Sequence, residues 1–281
     1  KLINEIVSSQ YFYFILLMVP TAIVAGFFAG FFGIGGGLIT IPVLLYIFKN
    51  FGINETYIMH LAVGTSFSII IPTAIASVLT HFKNKAVDVN IVKSYGGFVI
   101  LGVIIGSYVA AILQTKILVL FFVIVLYVLS LNFFFQKDQT KIKLKLNFFN
   151  KTVFGISVGF VSSLTGIGGA IMNVPIMKLC GYKINKAIGS SAAIGFIIAL
   201  FGAAGFLISG SYLQSNLPLS IGFINIPAFL IFVPITTFMA RIGASLLHKV
   251  DKKLISKLFG GFLIIVASKL LFDYFISINL P

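Results

Sequence analysis

Long apolar stretches separated by short polar segments dominate the chain, and they predict a helical membrane protein. Seven stretches of about 19 to 23 residues carry few or no charged side chains. At about 1.5 Å per residue, a helix of this length matches a hydrocarbon core of roughly 30 Å. The stretches are residues 11–32, 61–79, 94–113, 117–135, 187–209, 219–240 and 254–276. We therefore expect an all-α, polytopic transmembrane fold.

A glycine-rich segment interrupts the apolar pattern at two places. GIGGGLITIP at residues 33–42 returns as GIGGAIMNVP at residues 166–175, and AVGTS at residues 62–66 returns as AIGSS at residues 187–191. The duplication indicates two related halves. We predict a first transmembrane repeat, a basic cytoplasmic linker and a second transmembrane repeat, at residues 1–135, 136–151 and 152–281.

Charge is scarce, and its placement predicts how the chain crosses the bilayer. Charged residues make up 9% of the chain and the net charge is +14, but the lysines lie in short loops, which the positive-inside rule explains better than nucleic-acid binding. The lysine-rich segments 136–151 and 249–257 are expected to face the cytoplasm. The uncharged segment 210–218 is expected to lie outside.

With residues 136–151 in the cytoplasm and residues 210–218 outside, the second glycine segment must enter and leave the membrane on the same face. Its arms, residues 152–165 and 168–180, are each about 13 or 14 residues, which is short for a crossing helix. Counting crossings backwards makes the first hairpin, residues 11–48, open from the other face. Each repeat is thus predicted to be a re-entrant hairpin plus three transmembrane helices, with the two repeats inverted. If residues 11–32 span fully, the first hairpin has one long and one short arm.

The glycine segments are the best candidates for a binding site. A helix break at membrane depth persists only where it is buried in protein or lines a wet cavity. A new helix is expected to start near Leu38 and near Ile171, and each start presents free N–H groups and the positive end of a helix dipole to a small anion. The predicted substrate-binding residues are Gly33, Gly35, Gly36, Gly37, Thr40, Thr65, Ser66, Gly166, Gly168, Gly169, Asn173, Ser190 and Ser191. By contrast, the four-residue spacing of Gly26, Gly30, Gly102 and Gly106 predicts close helix packing.

Titratable chemistry is sparse within the predicted spans. The six acidic residues avoid the middle of every span, which leaves no buried carboxylate for a proton relay. Coupling to protons or sodium stays open, as does facilitated flux without coupling. We expect no catalytic residues, no metal site and no cofactor.

The doubled GIGGGLITIP and GIGGAIMNVP, the Gly-Thr-Ser and Gly-Ser-Ser positions and the basic linker resemble the TauE/SafE family of sulfite and organosulfonate exporters. The resemblance covers essentially the whole chain. It implies a multi-pass transporter of small anions in the bacterial inner membrane, with sulfite, sulfonates or related sulfur-containing or organic acids as substrates. The second copy departs from the first at Ala170 and Ser163, so the two half-sites need not bind equally.

Three functions therefore follow from the sequence. The first is an anion transporter with alternating access at a midplane site formed by the two helix breaks. The second is an anion channel or uniporter, which would conduct through a wetted pore. The third is a membrane scaffold, for which paired helix breaks would be needless strain. The expected partners are the lipid bilayer and a small anion, without nucleic acid, and the sequence assigns no oligomeric state.

Overall fold

The protein is described by a computed structural model that covers residues 10–134, 144, 147–213, 217–247 and 252–279. Within these residues the chain forms helices and one two-stranded hairpin. The helices are α1 Gln10–Phe32, α2 Gly37–Asn50, α3 Ile58–Lys83, α4 Val89–Ile112, α5 Thr115–Phe134, α6 Phe148–Thr165, α7 Ala170–Leu179, α8 Ile184–Tyr212, α9 Ile226–Leu246 and α10 Lys252–Asn279. The strands β1 Ser220–Ile221 and β2 Ile224–Asn225 pair antiparallel before α9.

Seven helices in the described part of the chain are long and apolar enough to cross a membrane, namely α1, α3, α4, α5, α8, α9 and α10. They coincide with the seven stretches predicted from the sequence, which confirms the polytopic helical fold. Most of the basic linker at residues 136–151 lies outside the described residues, as do residues 248–251 of the second basic segment.

The prediction of one continuous span over residues 219–240 is wrong at its start. The first residues of that stretch form the β-hairpin, in which Gly222 has a φ of 55°, and α9 begins only at Ile226. Asn225 is the reason for the later start, because its side chain accepts a hydrogen bond from the Ala228 N–H and caps the helix. The preceding helix, α8, instead extends to Tyr212, beyond the predicted end at residue 209.

Each glycine segment joins one long and one short helix. Helices α1 and α2 contain 23 and 14 residues, and α6 and α7 contain 18 and 10. The predicted pair of equally short arms in the second hairpin is therefore wrong for α6, which at about 27 Å is nearly long enough to cross. The cause is Asn147, whose side chain accepts from the Asn150 N–H and starts α6 upstream of residue 152.

The main helix-to-helix contacts are preserved when α1–α5 are exchanged with α6–α10. Helix α1 packs on α9, and correspondingly α6 packs on α4. Helix α9 also packs on α3, as α4 does on α8, while α3 contacts α8 and α5 contacts α10. The buried centre of the bundle consists of α3 and α8 with the two glycine segments beside them.

Closely spaced glycines allow these helix pairs to approach. A Cβ on Gly26 would lie 2.6 Å from the Thr236 Cα, and a Cβ on Gly159, its counterpart in the second half, would press on the Val99 carbonyl. Gly30 is likewise in tight contact with the Ala240 backbone. The packing role predicted for Gly26, Gly30, Gly102 and Gly106 is confirmed, because each of them meets the backbone of a neighbouring helix.

Helices α3 and α8 run antiparallel. Phe67, in the N-terminal half of α3, packs against Phe206 near the C-terminal end of α8, with 6.0 Å between ring centroids. Ser77, near the other end of α3, lines a small space together with Ala192 near the start of α8. Two corresponding helices at the centre of the protein therefore point in opposite directions.

Candidate functional site

Two glycine turns, residues 33–36 and 166–169, connect the arms of the hairpins. Gly33 and Gly36 have φ values of 69° and 85°, and Gly166 and Gly169 have values of 64° and 63°. These left-handed conformations disfavour residues with a Cβ, so glycine is the residue that both turns require. Helices α2 and α7 start immediately after the turns, at Gly37 and Ala170. The predicted starts near Leu38 and Ile171 are confirmed to within one residue.

The two glycine turns contact each other. A Cβ on Gly168 would lie 3.2 Å from the Ile34 carbonyl oxygen and 3.5 Å from the Gly35 Cα, and a Cβ on Gly37 would meet the Gly166 carbonyl. No side chain caps either α2 or α7 at its N-terminus. The N-terminal ends of two short helices, each with its partial positive charge, are thus brought beside the same point in the protein.

Helices α3 and α8 enclose the turns in a reciprocal way. A Cβ on Gly33 would lie 3.0 Å from the Ile188 carbonyl oxygen, and one on Gly166 would lie 3.1 Å from the Val63 Cα. The AVGTS and AIGSS segments, which supply Val63 and Ile188, therefore pack against the glycine turn of the opposite half. Ser66 extends this contact by donating a hydrogen bond from its hydroxyl to the Gly166 carbonyl, at 3.0 Å.

Two of the other predicted hydroxyls, those of Thr65 and Ser190, connect different helices. The Thr65 hydroxyl accepts a hydrogen bond from the Asn225 N–H, and the Ser190 hydroxyl accepts one from the Asp88 N–H, both at 2.8 Å. Asp88 and Asn225 are the N-caps of α4 and α9. Thr65 and Ser190 therefore tie the central helices to the starts of α9 and α4, away from the contact between the turns.

Thr40 and Ser191 also have partners within the protein. The Thr40 hydroxyl donates to the Gly36 carbonyl of its own helix at 3.1 Å. The Ser191 hydroxyl lies 3.6 Å from the Met177 sulfur. Of the predicted side chains, Ser66 is the one that contacts a glycine turn of the other half.

Asn173, in the first turns of α7, belongs to a polar group that the sequence indicates only in part. Its Oδ1 accepts a hydrogen bond from the Tyr95 hydroxyl at 3.0 Å, whereas its Nδ2 has no hydrogen-bond partner. The Ser162 hydroxyl, at the end of α6, is also buried without a partner. Tyr95 and Ser162 were missed because neither is part of the duplicated motifs; the positions that correspond to them in the other half are apolar, and that difference was the available signal.

Two open spaces lie at the end of the bundle that is predicted to face the cytoplasm, and one of them reaches a glycine turn. One has an empty volume of about 800 Å³ and is lined by the α3–α4 loop and the start of α8, including Lys85, Lys183 and Lys186. The other, of about 520 Å³, is mainly apolar and reaches Ile34 in the first glycine turn and Ile171 in α7. Ile184 lines both spaces. The side chains of His, Cys, Asp and Glu in the described part of the chain do not gather into a group that could hold a metal ion.

Comparison with known proteins identifies the family. The family model for the sulfite exporter TauE/SafE matches residues 18–270. The chain belongs to the TauE/SafE family. It is therefore a multi-pass membrane protein of a transporter family, as its helices indicate. No solved structure matches the chain significantly.

Several curated relatives share nearly the full length of this TauE/SafE member. A probable membrane transporter protein of Haemophilus influenzae is 34% identical over 258 residues, which cover 91% of this chain and 97% of the relative. A probable membrane transporter protein of Methanocaldococcus jannaschii is 28% identical, with 85% and 90% covered. The probable membrane transporter protein YunE of Bacillus subtilis is 25% identical, with 92% and 97% covered.

Proposed function

We propose that this protein transports small anions, with sulfite, sulfonates or related sulfur-containing or organic acids as the substrate class, and that the two glycine turns form the site. The observation that carries the proposal is the contact between Gly168 and the first glycine turn at Ile34 and Gly35. It brings two uncapped helix N-termini together, and such termini favour negative charge. The family and the relatives named as probable transporters support the same class of function.

The lysine-lined space supports an approach for anions from the cytoplasm. Lys85, Lys183 and Lys186 surround its mouth, and a cluster of like charges raises the local concentration of oppositely charged ions. Asp88 is the acidic residue beside this mouth, and its carboxylate is engaged in capping α4 through the Asn90 and Ile91 N–H groups. Ile184 also lines the second space, which reaches Ile34, and we propose that an anion moves from one space to the other past this side chain.

We also propose that the halves are inverted repeats, at residues 1–135 and 152–281. The exchange of α1–α5 with α6–α10 preserves the main helix-to-helix contacts, and the corresponding helices α3 and α8 are antiparallel. If α3 and α8 both cross the bilayer, the axis of the rotation that relates the two halves must lie in the membrane plane. Many alternating-access transporters have this arrangement. A bacterial inner membrane is the location we propose.

The opposite end of the bundle is closed in this structure, which supports alternating access over an open pore. Phe223 of the β-hairpin is fully buried between Tyr57, His60 and Phe206. Its backbone presses on Gly64, and at the other end of the bundle the Ala86 backbone makes the corresponding contact with Gly189. The aromatic side chain of Phe223 thus fills one end of the bundle, whereas the methyl group of Ala86 occupies the equivalent position at the other end.

Flux in reconstituted vesicles would test the proposal. We would compare uptake of sulfite, thiosulfate, a sulfonate and acetate by the wild-type protein, Gly168→Ala and Gly97→Ala. A Cβ on Gly168 intrudes between the turns at 3.2 Å from the Ile34 oxygen, whereas one on Gly97 meets nothing within 4 Å. We expect flux of at least one sulfur oxyanion in the wild-type protein and in Gly97→Ala, and a severe loss in a folded Gly168→Ala.

Three results would count against the proposal. Absence of anion flux from the wild-type protein would remove the function, and unchanged flux in Gly168→Ala would remove the turns as the site. Counterflow separates a transporter from a channel, because preloaded anion accelerates exchange through a carrier only. Flux that is unaffected by preloading would favour the channel.

A further inference from the structure

Three polar groups in the described part of the second half are buried without partners, and two of them lie beside the second glycine turn. Ser162 and Asn173 are completely inaccessible to solvent, and the Ser162 hydroxyl and the Asn173 Nδ2 have no hydrogen-bond partner. A buried donor without a partner has lost its hydrogen bonds to water and gained none in the protein, which destabilises the fold. Such groups call for an explanation, and a ligand that accepts hydrogen bonds is one.

Both groups lie at the N-terminus of α7. The Ser162 hydroxyl is 2.9 Å from the position that a Cβ on Gly169 would occupy, and Gly169 is the N-cap of α7. Asn173 lies one turn further along, because its N–H donates to the Gly169 carbonyl at 3.1 Å. Two side-chain donors are thus added to the free N–H groups with which the helix begins.

Tyr95 contacts the oxygen end of the Asn173 amide. The tyrosine hydroxyl donates to Asn173 Oδ1 at 3.0 Å and so occupies the acceptor side of the amide. The remaining Nδ2 is a donor. The group left without a partner is therefore the one that an anion requires and a cation would not.

The first half lacks this arrangement. Ala29 and Phe232 occupy the positions that correspond to Ser162 and Tyr95 in the aligned motifs and matching helices. Thr40, which corresponds to Asn173, has its hydroxyl bonded to the Gly36 carbonyl. Near the first turn the hydroxyl without a partner is instead that of Ser77, which lines a small space with Gly33 and Gly35, so the two turns differ in the donors beside them.

We propose that Ser162 and Asn173 donate hydrogen bonds to the oxygen atoms of a bound oxyanion at the start of α7, and that Tyr95 is a positioning residue that orients the Asn173 amide. This assignment rests on the proposed anion transport. It makes the second glycine turn the part of the site at which side chains add hydrogen-bond donors to those of the helix N-terminus.

Ser162→Ala is the most informative variant, because stability and binding should respond differently. Loss of an unpaired hydroxyl leaves the thermal stability of the ligand-free protein unchanged or raised. Loss of a hydrogen bond to a charged ligand should raise the KM for sulfite about tenfold or more. The probe is sulfite, measured as flux in vesicles and as sulfite-dependent thermal stabilisation in detergent. Ser162→Thr keeps the hydroxyl and is expected to retain part of the affinity.

Asn173→Asp and Tyr95→Phe complete the test. Asn173→Asp keeps the acceptor for Tyr95 but replaces the donor with an acceptor, so sulfite stabilisation should disappear. Tyr95→Phe should raise the KM in the wild-type background and have no further effect on the KM in Asn173→Asp, which a merely structural role would not produce. Thr40→Val, at the corresponding position of the first half, should raise the KM less than Ser162→Ala does. Ser130→Ala, which removes a buried hydroxyl bonded to the Tyr127 carbonyl of its own helix, is the matched control and should leave the KM unchanged.

The two proposals fail in different ways. If the wild-type protein neither transports nor is stabilised by any sulfur oxyanion, the proposed function and this assignment fall together. If the wild-type protein transports sulfite and Ser162→Ala and Asn173→Asp keep the wild-type KM, the transport function stands and this assignment is refuted. Equal increases of the KM in Thr40→Val and Ser162→Ala would also refute it, because recognition would then be shared by both halves.

Discussion

The hydrogen bond from the Asn225 N–H to the Thr65 hydroxyl makes a prediction that separates structural from substrate-binding hydroxyls. Thr65→Val keeps the size of the side chain and removes the acceptor. The N–H of Asn225 then remains buried without its 2.8 Å partner, and such a loss typically costs about 1 to 3 kcal/mol. We expect a clear decrease in thermal stability and weaker protection of the first turn of α9 against amide exchange.

Thr165→Val is a matched control for this change. Thr165 is as deeply buried as Thr65, but its hydroxyl donates only to carbonyls of its own helix, those of Val161 and Ser162. Its replacement should therefore cost little. The equivalent contact, from the Asp88 N–H to Ser190, is only partly buried, so Ser190→Ala should lie between the two variants.

The assay is the apparent melting temperature in detergent at one heating rate, together with hydrogen exchange of a peptide that covers the hairpin and the start of α9. A fixed rate is needed because unfolding of membrane proteins in detergent is commonly irreversible. If Thr65→Val matches Thr165→Val in both measurements, the structural role is refuted. If Thr65→Val is stable but has a raised KM for sulfite, the hydroxyl belongs to the substrate site instead.

Further predictions concern packing and reactivity. Gly30→Ala should unfold or severely destabilise the protein, because its Cβ would collide with the Ala240 backbone. A Cβ on Gly97 has no neighbouring atom within 4 Å, so Gly97→Ala should melt at or slightly above the wild-type temperature. Equal melting temperatures of the two variants would refute the close packing at Gly30. Phe223→Ala should lower the free energy of unfolding by about 3 to 5 kcal/mol, because the ring is fully buried. A variant that melts like the wild-type protein would show that the Phe223 ring is not packed as described. Burial raises the pKa of the Cys180 thiol, and only the thiolate reacts with maleimide. The rate at which maleimide modifies the native protein should therefore keep rising above about pH 8.5, where the rate for the unfolded protein levels off. A ratio of these two rates that is constant from about pH 7 to 10 would contradict the raised pKa.

The number and position of the membrane helices were predictable from the sequence because hydrophobic length is a local property. The errors arose at helix ends, where a single capping side chain decides the outcome. Asn147 lengthens α6 and Asn225 delays α9 by accepting hydrogen bonds from backbone N–H groups. Hydropathy does not register such caps, because one polar residue next to an apolar stretch is compatible with either start.

The candidate site was predictable where it depends on glycine and not where it depends on neighbours. Positive φ at Gly33, Gly36, Gly166 and Gly169 follows from a residue type that alone tolerates it, and the duplication drew attention to both turns. Ser162 is an ordinary serine in an apolar helix until its lack of a partner is seen. The sequence likewise left the roles of the hydroxyl pairs open, and the structure engages Thr65 and Ser190 with N-cap backbone groups.

The sequence by itself determined a multi-pass helical membrane protein with two copies of a glycine-rich helix break, since hydrophobic length and glycine content act within a few turns of one helix. Only the tertiary structure decided that the turn at Gly168 meets the turn at Gly35, and that Tyr95 reaches Asn173. Those pairs are far apart in the chain, and they come together because small residues let α1 pack on α9 and α6 on α4. A one-dimensional pattern carries no information on which helix faces which.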